Sequence, residues 1–192
     1  VQGLASLRDT KGNILVADLK TDADELTKTE KKAIVKSPFD KCAVKKASGL
    51  KRPFLTKDPK KELVNGITLT INGITTGYQE VGVKTVLPRY AVAKLDCRLT
   101  PSQDPRRVAK VIAQQLRKNG FEDLKVKYIV GQKGFRTDIT SPFVSKAYQV
   151  AKRRYGEDNV CYLPNASGAG PAYVFGDDLG IPVISGGIGY AQ

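Results

Sequence analysis

Arg98 is the residue in this chain best suited to recognising an acid. Its planar guanidinium can grip a carboxylate through two parallel N–H donors, which a lysine ammonium cannot do. The plainer reading of the same residue is a surface ion pair with Asp96 or Asp104, a contact that contributes under about 1 kcal/mol. Thr85, in the segment before it, offers a single hydroxyl. Ser167-Gly168-Ala169-Gly170-Pro171 and Ser185-Gly186-Gly187-Ile188-Gly189 each follow an apolar run. Backbone N–H groups in such turns can face an anion. Neither matches G-x-G-x-x-G, because Tyr173 stands where the third glycine belongs, and neither has the Gly-Lys-Ser of a phosphate loop. Tight turns that bind nothing use glycine in the same way.

Absences restrict the chemistry further. The 192 residues include no His, which removes the commonest general base, the usual partner of a Ser or Cys nucleophile, and the commonest zinc ligand. Cys42, Cys97 and Cys161 are odd in number and widely spaced, so neither a disulfide framework nor a thiolate metal site is expected, and a reducing cytoplasm fits best. There is also no Met, which predicts that Val1 is an internal position of something longer. A hydrophobic share of 41% with 27% charged residues suits a folded protein. No run approaches the roughly 18 apolar residues of a membrane span.

The formal charge of +13, from 32 Lys and Arg against 19 Asp and Glu, invites a nucleic-acid reading. Its distribution argues against one. Much of the excess lies between Lys20 and Lys61 as lysines scattered among acids and prolines, without interleaved aromatics for stacking or an Arg-rich recognition helix. Lysines so placed usually mark a solvated face.

The elements that must position these residues follow from periodicity. Ile67, Leu69 and Ile71 alternate with polar residues as a half-buried strand that Asn72-Gly73 closes with a turn. In Tyr90 to Leu99, residues Ala91, Ala93, Leu95, Cys97 and Leu99 share one face, and Asp96 and Arg98 the other, so Arg98 points away from the core. Asp104-Pro105 opens a helix whose stripe Val108, Val111, Ile112 and Leu116 ends at Asn119-Gly120. Leu124, Val126, Tyr128 and Val130 alternate as a further strand. Earlier, Ile14 to Ala17 reads as a strand and Thr27-Lys28-Thr29-Glu30 as a capping box. The Lys-rich text from Ser37-Pro38 to Pro59 reads as loop with room for one short helix. After Phe135 the pattern changes: a helix from Ser141-Pro142 through Tyr155, a strand at Asn159 to Leu163, a helix after Gly170-Pro171 and a β-rich run at Ile181 to Ser185. No internal repeat is present.

Taken together, the blocks from Gly73 to Pro101, ending in GVKTVLPRYAVAKLDCRLTP, then Gln103-Asp104-Pro105, the GAGP turn and LGIPVISGGIGYA, resemble the carnosinase, aminoacylase and dipeptidase family of zinc metallopeptidases. The likeness runs from Leu63 onward and, more weakly, through ASLRDTKGNILV. It implies an α+β fold, with a ferredoxin-like lid, or dimerisation, domain over residues 1–135. That sandwich has a sheet covered by helices on one face, and residues 136–192 form an incomplete α/β part of the catalytic domain. The implied function is that of a fragment of a dipeptidase or amidohydrolase that cleaves the amide bond of a dipeptide or N-acyl amino acid.

The resemblance further implies two zinc ions in the intact parent and none here, because the family's metal ligands and its general-base Glu fall outside this stretch. It places substrate-carboxylate and carbonyl binding on Thr85 and Arg98. The turn formed by Ser167, Gly168, Ala169 and Gly170 corresponds to a carboxylate-binding loop, although Ala169 stands where the family often has a hydroxyl. Implied partners are a small peptide substrate and a second copy of the chain through the lid, with no nucleic acid and no membrane. Two other readings compete: a self-sufficient protein-interaction module, and a basic nucleic-acid binder.

Overall fold

The computed structural model describes residues 1–166, 168 and 170–186. Its elements in chain order are α1 (Gln2–Ala5), a 3-10 turn (Ala17–Leu19), α2 (Lys28–Lys36), α3 (Lys41–Ala47), α4 (Pro59–Asn65), β1 (Thr68–Thr76), β2 (Ala91–Arg98), α5 (Pro105–Lys118), α6 (Pro142–Tyr155), a second 3-10 turn (Glu157–Asn159) and a π-helical turn (Val174–Asp178).

The class is α+β, as expected. β1 and β2 pair antiparallel from Thr68 opposite Arg98 to Thr76 opposite Ala91. The expected turn at Asn72-Gly73 is instead a bulge. Ile71 faces Leu95 and Gly73 faces Lys94, leaving Asn72 as the extra residue. The β-branched run Ile74-Thr75-Thr76 carries the pairing on, as such residues favour.

α5 covers one face of this ribbon. Val108, Val111, Ile112 and Leu116 are buried together with Leu69 of β1, and Leu95, Cys97 and Leu99 press against them. Leu7, Val16 and Leu19 from the start of the chain complete the cluster. Burying each such side chain contributes about 1.5–3 kcal/mol. At the start of α5, Asp104 Oδ1 accepts from Arg106 N at 3.0 Å, and Pro105 occupies the first helical position, where its missing N–H costs nothing. At the end, Gly120 takes φ +82°. Gly120 N donates to Arg117 O at 2.9 Å and Phe121 N to Leu116 O at 3.0 Å, the paired bonds of a Schellman stop.

A smaller cluster of Leu26, Ile34 and Val64 ties α2 to α4. The capping box that opens α2 is formed: Glu30 N donates to Thr27 Oγ1 at 3.2 Å and Thr27 N to Glu30 Oε2 at 2.7 Å. α6 also begins where expected, on Ser141 and Pro142, and runs to Tyr155.

Other expectations are corrected. Leu124 to Val130 forms no ladder, and Ile129 and Val130 are largely exposed. Alternation fixes only where side chains point, whereas a strand also needs a partner edge. Leu124 is instead drawn onto α1, where a Cβ on Gly3 would lie 2.5 Å from Leu124 Cδ1. Ile14 to Ala17 reduces to one bridge, Arg8 with Ile14, because the turn bonds Asp9 N to Asn13 O and Asn13 N to Asp9 Oδ1 lock the loop tightly.

The Lys-rich stretch from Ser37 to Pro59 holds one short helix, α3, as expected, and α4 begins where it ends. Asp40 and Asp58 cap them, and Pro59 starts the second. Asn159 to Leu163 and Ile181 to Ser185 pair with no strand among the described residues, since short strands apolar on both faces need neighbours on both edges. The helix expected after Pro171 is largely the π-helical turn. Its Gly176 backs onto Phe135 so closely that a Cβ would lie 1.9 Å from the ring. No helix among the described residues is long and apolar enough to cross a membrane.

Candidate substrate-binding site

Arg98 ends β2, opposite Thr68, and its backbone N–H donates to Thr68 Oγ1 at 3.2 Å. Its neighbours Cys97 and Leu99 face the α5 core, so the period of two turns the guanidinium to the opposite, open face. There Arg98 Nε lies 3.3 Å from Asp96 Oδ2, with the two side chains 54% and 42% exposed. The surface ion pair foreseen from the sequence is therefore formed, and with Asp96 rather than Asp104. At this exposure it contributes about 0–1 kcal/mol. It engages Nε and leaves the two Nη groups without an acceptor among the described residues. The free edge of the fork can still take a carboxylate in bidentate fashion.

Beneath it, burial pushes the Cys97 thiol up to about 11, with the Asp96 carboxylate adding to the effect. A thiol so protonated is no nucleophile at neutral pH.

Thr85 lies in the fourteen-residue segment between β1 and β2, every residue of which is exposed. No hydrogen bond or ion pair joins Thr85 to Arg98 among the described residues. Arg98 closes the base of the hairpin, Thr85 lies beyond its other end, and β2 between them extends roughly 23 Å at about 3.3 Å per residue.

Of the glycine-rich turn, Ser167 and Ala169 lie outside the described residues. Gly168 and Gly170 are exposed, with nothing within 4 Å of where a Cβ would stand. Of the second stretch, Ser185 and Gly186 are exposed, and Gly187 to Gln192 lie outside the described residues.

The approach to the first turn is firmly held. Asn165 Nδ2 donates to Val64 O at 3.2 Å and to Asn65 Oδ1 at 3.1 Å. Arg136 Nη1 reaches the same Asn65 Oδ1 at 3.1 Å, and its Nε pairs with Glu30 Oε1 at 3.3 Å, both side chains being largely buried. Sequence reasoning missed Asn65, Arg136 and Asn165, and saw in Glu30 only a cap. A Glu whose capping role uses one oxygen keeps the other free for a cation, and that was the available signal.

Two open grooves are present elsewhere. One is lined by Ser102, Asp104, Lys133, Phe135, Arg136 and Asp177 among others, and one lies along α6 between Phe143 and Tyr155. Neither includes Arg98, Thr85 or the glycine turns. No group of three or more Cys, Asp or Glu among the described residues could hold a metal ion, and the chain has no His. The described residues do not fit a resident metal.

Comparison with known proteins adds the family. Residues 4–123 match the M20 peptidase dimerisation domain. The rat Beta-Ala-His dipeptidase is 29% identical over 164 residues, covering 81% of this chain and 33% of that protein. The Cys-Gly metallodipeptidase of Saccharomyces cerevisiae is 25% identical, over 82% of this chain and 34% of the yeast enzyme. The chain thus spans about a third of the length of the curated relatives it matches. Among solved structures, an M20 family metallo-carboxypeptidase of Sulfolobus solfataricus superposes with a TM-score of 0.82 at 33% identity, over 94% of this chain and 47% of that one. Human carnosine dipeptidase 1 shares the fold, with a TM-score of 0.74 at 22% identity over 93% of this chain and 39% of that one.

Proposed function

The chain belongs to the M20 peptidase dimerisation domain family, and from that premise we propose that it is the substrate-gripping part of a metal-dependent hydrolase acting on the amide bond of a dipeptide or N-acyl amino acid. Residues 1–135 form the lid and residues 136–192 belong to the catalytic domain. Arg98 binds the substrate carboxylate, and Thr85 binds its carboxylate or peptide carbonyl. Backbone N–H groups of the turn Ser167 to Gly170 supply further donors. The reading rests above all on Arg98, whose guanidinium edge stands open on the outer face of β2.

On this reading the metal, two zinc ions, is held by residues of the intact parent other than those of this chain. Every contribution of this chain to turnover is then one of binding and orientation. Free Cys42, Cys97 and Cys161 suit a reducing cytoplasm.

The separation of Thr85 from Arg98 supports a homodimer. A dipeptide is far shorter than a hairpin of roughly 23 Å at about 3.3 Å per residue, so one substrate touches both residues only where two copies meet. The exposed apolar loop that carries Thr85, with Val81 at 100%, Val83 at 92% and Leu87 at 90% exposure, is the kind of surface a partner covers.

In the full-length metal-loaded protein, Arg98→Ala raises KM and lowers kcat/KM by about 10- to 100-fold. That is the roughly 1.5–3 kcal/mol carried by hydrogen bonds to charged groups. Arg98→Lys recovers little of this, because the fork is lost. Metal content and the far-ultraviolet dichroism stay as in the parent. Steady-state kinetics with both variants decide the matter, and unchanged constants overturn the assignment.

A further inference from the structure

Three charges follow one another along the open face of β2. Leu95 and Cys97 press against the α5 core, so Lys94, Asp96 and Arg98 turn the other way, with successive members about 6.6 Å apart at about 3.3 Å per residue. Opposite them on β1 stand Gly73, Thr70 and Thr68, none of them charged. Asp96 is therefore the one acid on this face of the ribbon among the described residues, and it is the immediate neighbour of the guanidinium to which the proposed function assigns the substrate carboxylate.

The Asp96 carboxylate is little used by the fold. Its Oδ2 lies 3.3 Å from Arg98 Nε, and its Oδ1 has no hydrogen-bond or ion-pair partner among the described residues. The Thr70 hydroxyl across the ribbon serves other acceptors, Asn72 Oδ1 at 3.0 Å and the Asp96 backbone oxygen at 3.2 Å. Lys94 forms no ion pair among the described residues. Its Cδ stands 4.0 Å from where a Cβ on Gly73 would lie, so its stem leans over β1.

We propose that Asp96 is a specificity-determining residue: beside an acid gripped by Arg98, it favours a substrate whose C-terminal residue carries a cationic side chain, lysine or arginine, over one ending in aspartate or glutamate. The substrate's α-carboxylate cancels the charge of Arg98, and Asp96 is left as the uncompensated charge beside it. The residue that owns the gripped carboxylate also brings its side chain to this spot, since both leave the same Cα. A charge on that side chain roughly 7 Å from Asp96 in water-like surroundings changes binding by about two- to threefold, so opposite signs differ by about five- to tenfold. The like charge acts as a repulsive element against acidic substrates, while an apolar side chain is left indifferent.

The inference rests on the carboxylate-binding reading, and the test separates the two. In the full-length metal-loaded protein, kcat/KM is measured with the free-acid dipeptides Ala-Lys, Ala-Leu and Ala-Glu for the parent, Asp96→Asn, Asp96→Lys and Arg98→Ala, at low salt and at about 0.5 M NaCl. The parent prefers Ala-Lys to Ala-Glu. Asp96→Asn lowers that ratio about five- to tenfold and leaves Ala-Leu within about twofold, and Asp96→Lys carries the ratio further the same way, an order that a general loss of structure does not produce. Added salt shrinks these differences, because exposed charges at this distance are screened. If Asp96→Asn weakens all three dipeptides alike, Asp96 merely braces the guanidinium and the inference falls. If Arg98→Ala raises KM for Ala-Leu but the Lys-to-Glu ratio is the same in Asp96→Asn as in the parent, the specificity role falls and the carboxylate reading stands. If Arg98→Ala leaves KM for Ala-Leu unchanged, it is the carboxylate reading that is overturned, and the inference goes with it.

Discussion

Cys97 and Arg98 are adjacent residues with opposite fates. The strand period sends Cys97 toward the α5 stripe and Arg98 to the open face. Burial raises the thiol from 9.0 to about 11, with Asp96 adding to the effect. Unfolded chains ionise at this position near pH 9 and folded ones near pH 11. The contribution is therefore complete below pH 9 and is lost as pH climbs from 9 toward 11. Comparing urea midpoints at pH 8 and pH 10.5 for the parent and Cys97→Val isolates this from the titration of lysines and tyrosines. The parent loses more stability than the variant over that interval, and an equal loss would show that the thiol does not titrate as its burial demands. A thiol reagent at pH 8 correspondingly labels the exposed Cys42 and Cys161 well before Cys97.

Among the elements, α5 shows what local rules can and cannot specify. Its cap, first-turn proline, apolar stripe and glycine stop all lie within one stretch of chain, so each was legible from neighbouring residues, as were the capping box of α2 and the start of α6. Ile112→Ala removes part of the stripe and costs about 2–5 kcal/mol. Gly120→Ala forces a Cβ into the left-handed region and costs about 1–2 kcal/mol. Lys110→Ala on the exposed side stays within about 0.5 kcal/mol. Chemical denaturation of the three variants should return that order, and a Gly120→Ala variant as stable as the parent would mean that the Schellman stop contributes nothing. What could not be read locally is which apolar run finds an edge. Leu124 to Val130 alternates as cleanly as β1, yet Leu124 settles on the bare backbone of Gly3, a contact that depends on two distant segments meeting. The bulge at Asn72 escaped for a related reason, since Asn-Gly closes hairpins and also serves bulges, and only the pairing of Ile74 with Ala93 decides.

At the scale of the whole molecule, the candidate site was legible one side chain at a time but not as an arrangement. Alternation placed Arg98 on the outer face, and the sequence named Asp96 as one of its possible partners. Nothing local announced that Asn65 joins Asn165 to Asp24, or that the hairpin holds Thr85 and Arg98 at opposite ends. That last fact yields the sharpest prediction about assembly. If the full-length protein is a two-fold dimer in which each site takes Arg98 from one copy and Thr85 from the other, an Arg98→Ala homodimer and a Thr85→Ala homodimer each have two defective sites. A mixed dimer has one site lacking both residues and one site lacking neither. Equal mixing makes half the dimers mixed, so activity returns to about a quarter of the parent's by the symmetry of the closed pair. The measurement is kcat/KM on the two variants before and after unfolding and refolding them together, with sedimentation confirming the dimer. Recovery to about a quarter means the residues act across the interface. No recovery, with dimers present, places both residues in the same subunit's site and removes the argument from hairpin length. Charged substitutions at Val83 and Leu87 in the loop shift the sedimenting species toward the monomer and abolish the recovery together, because the same contact serves both.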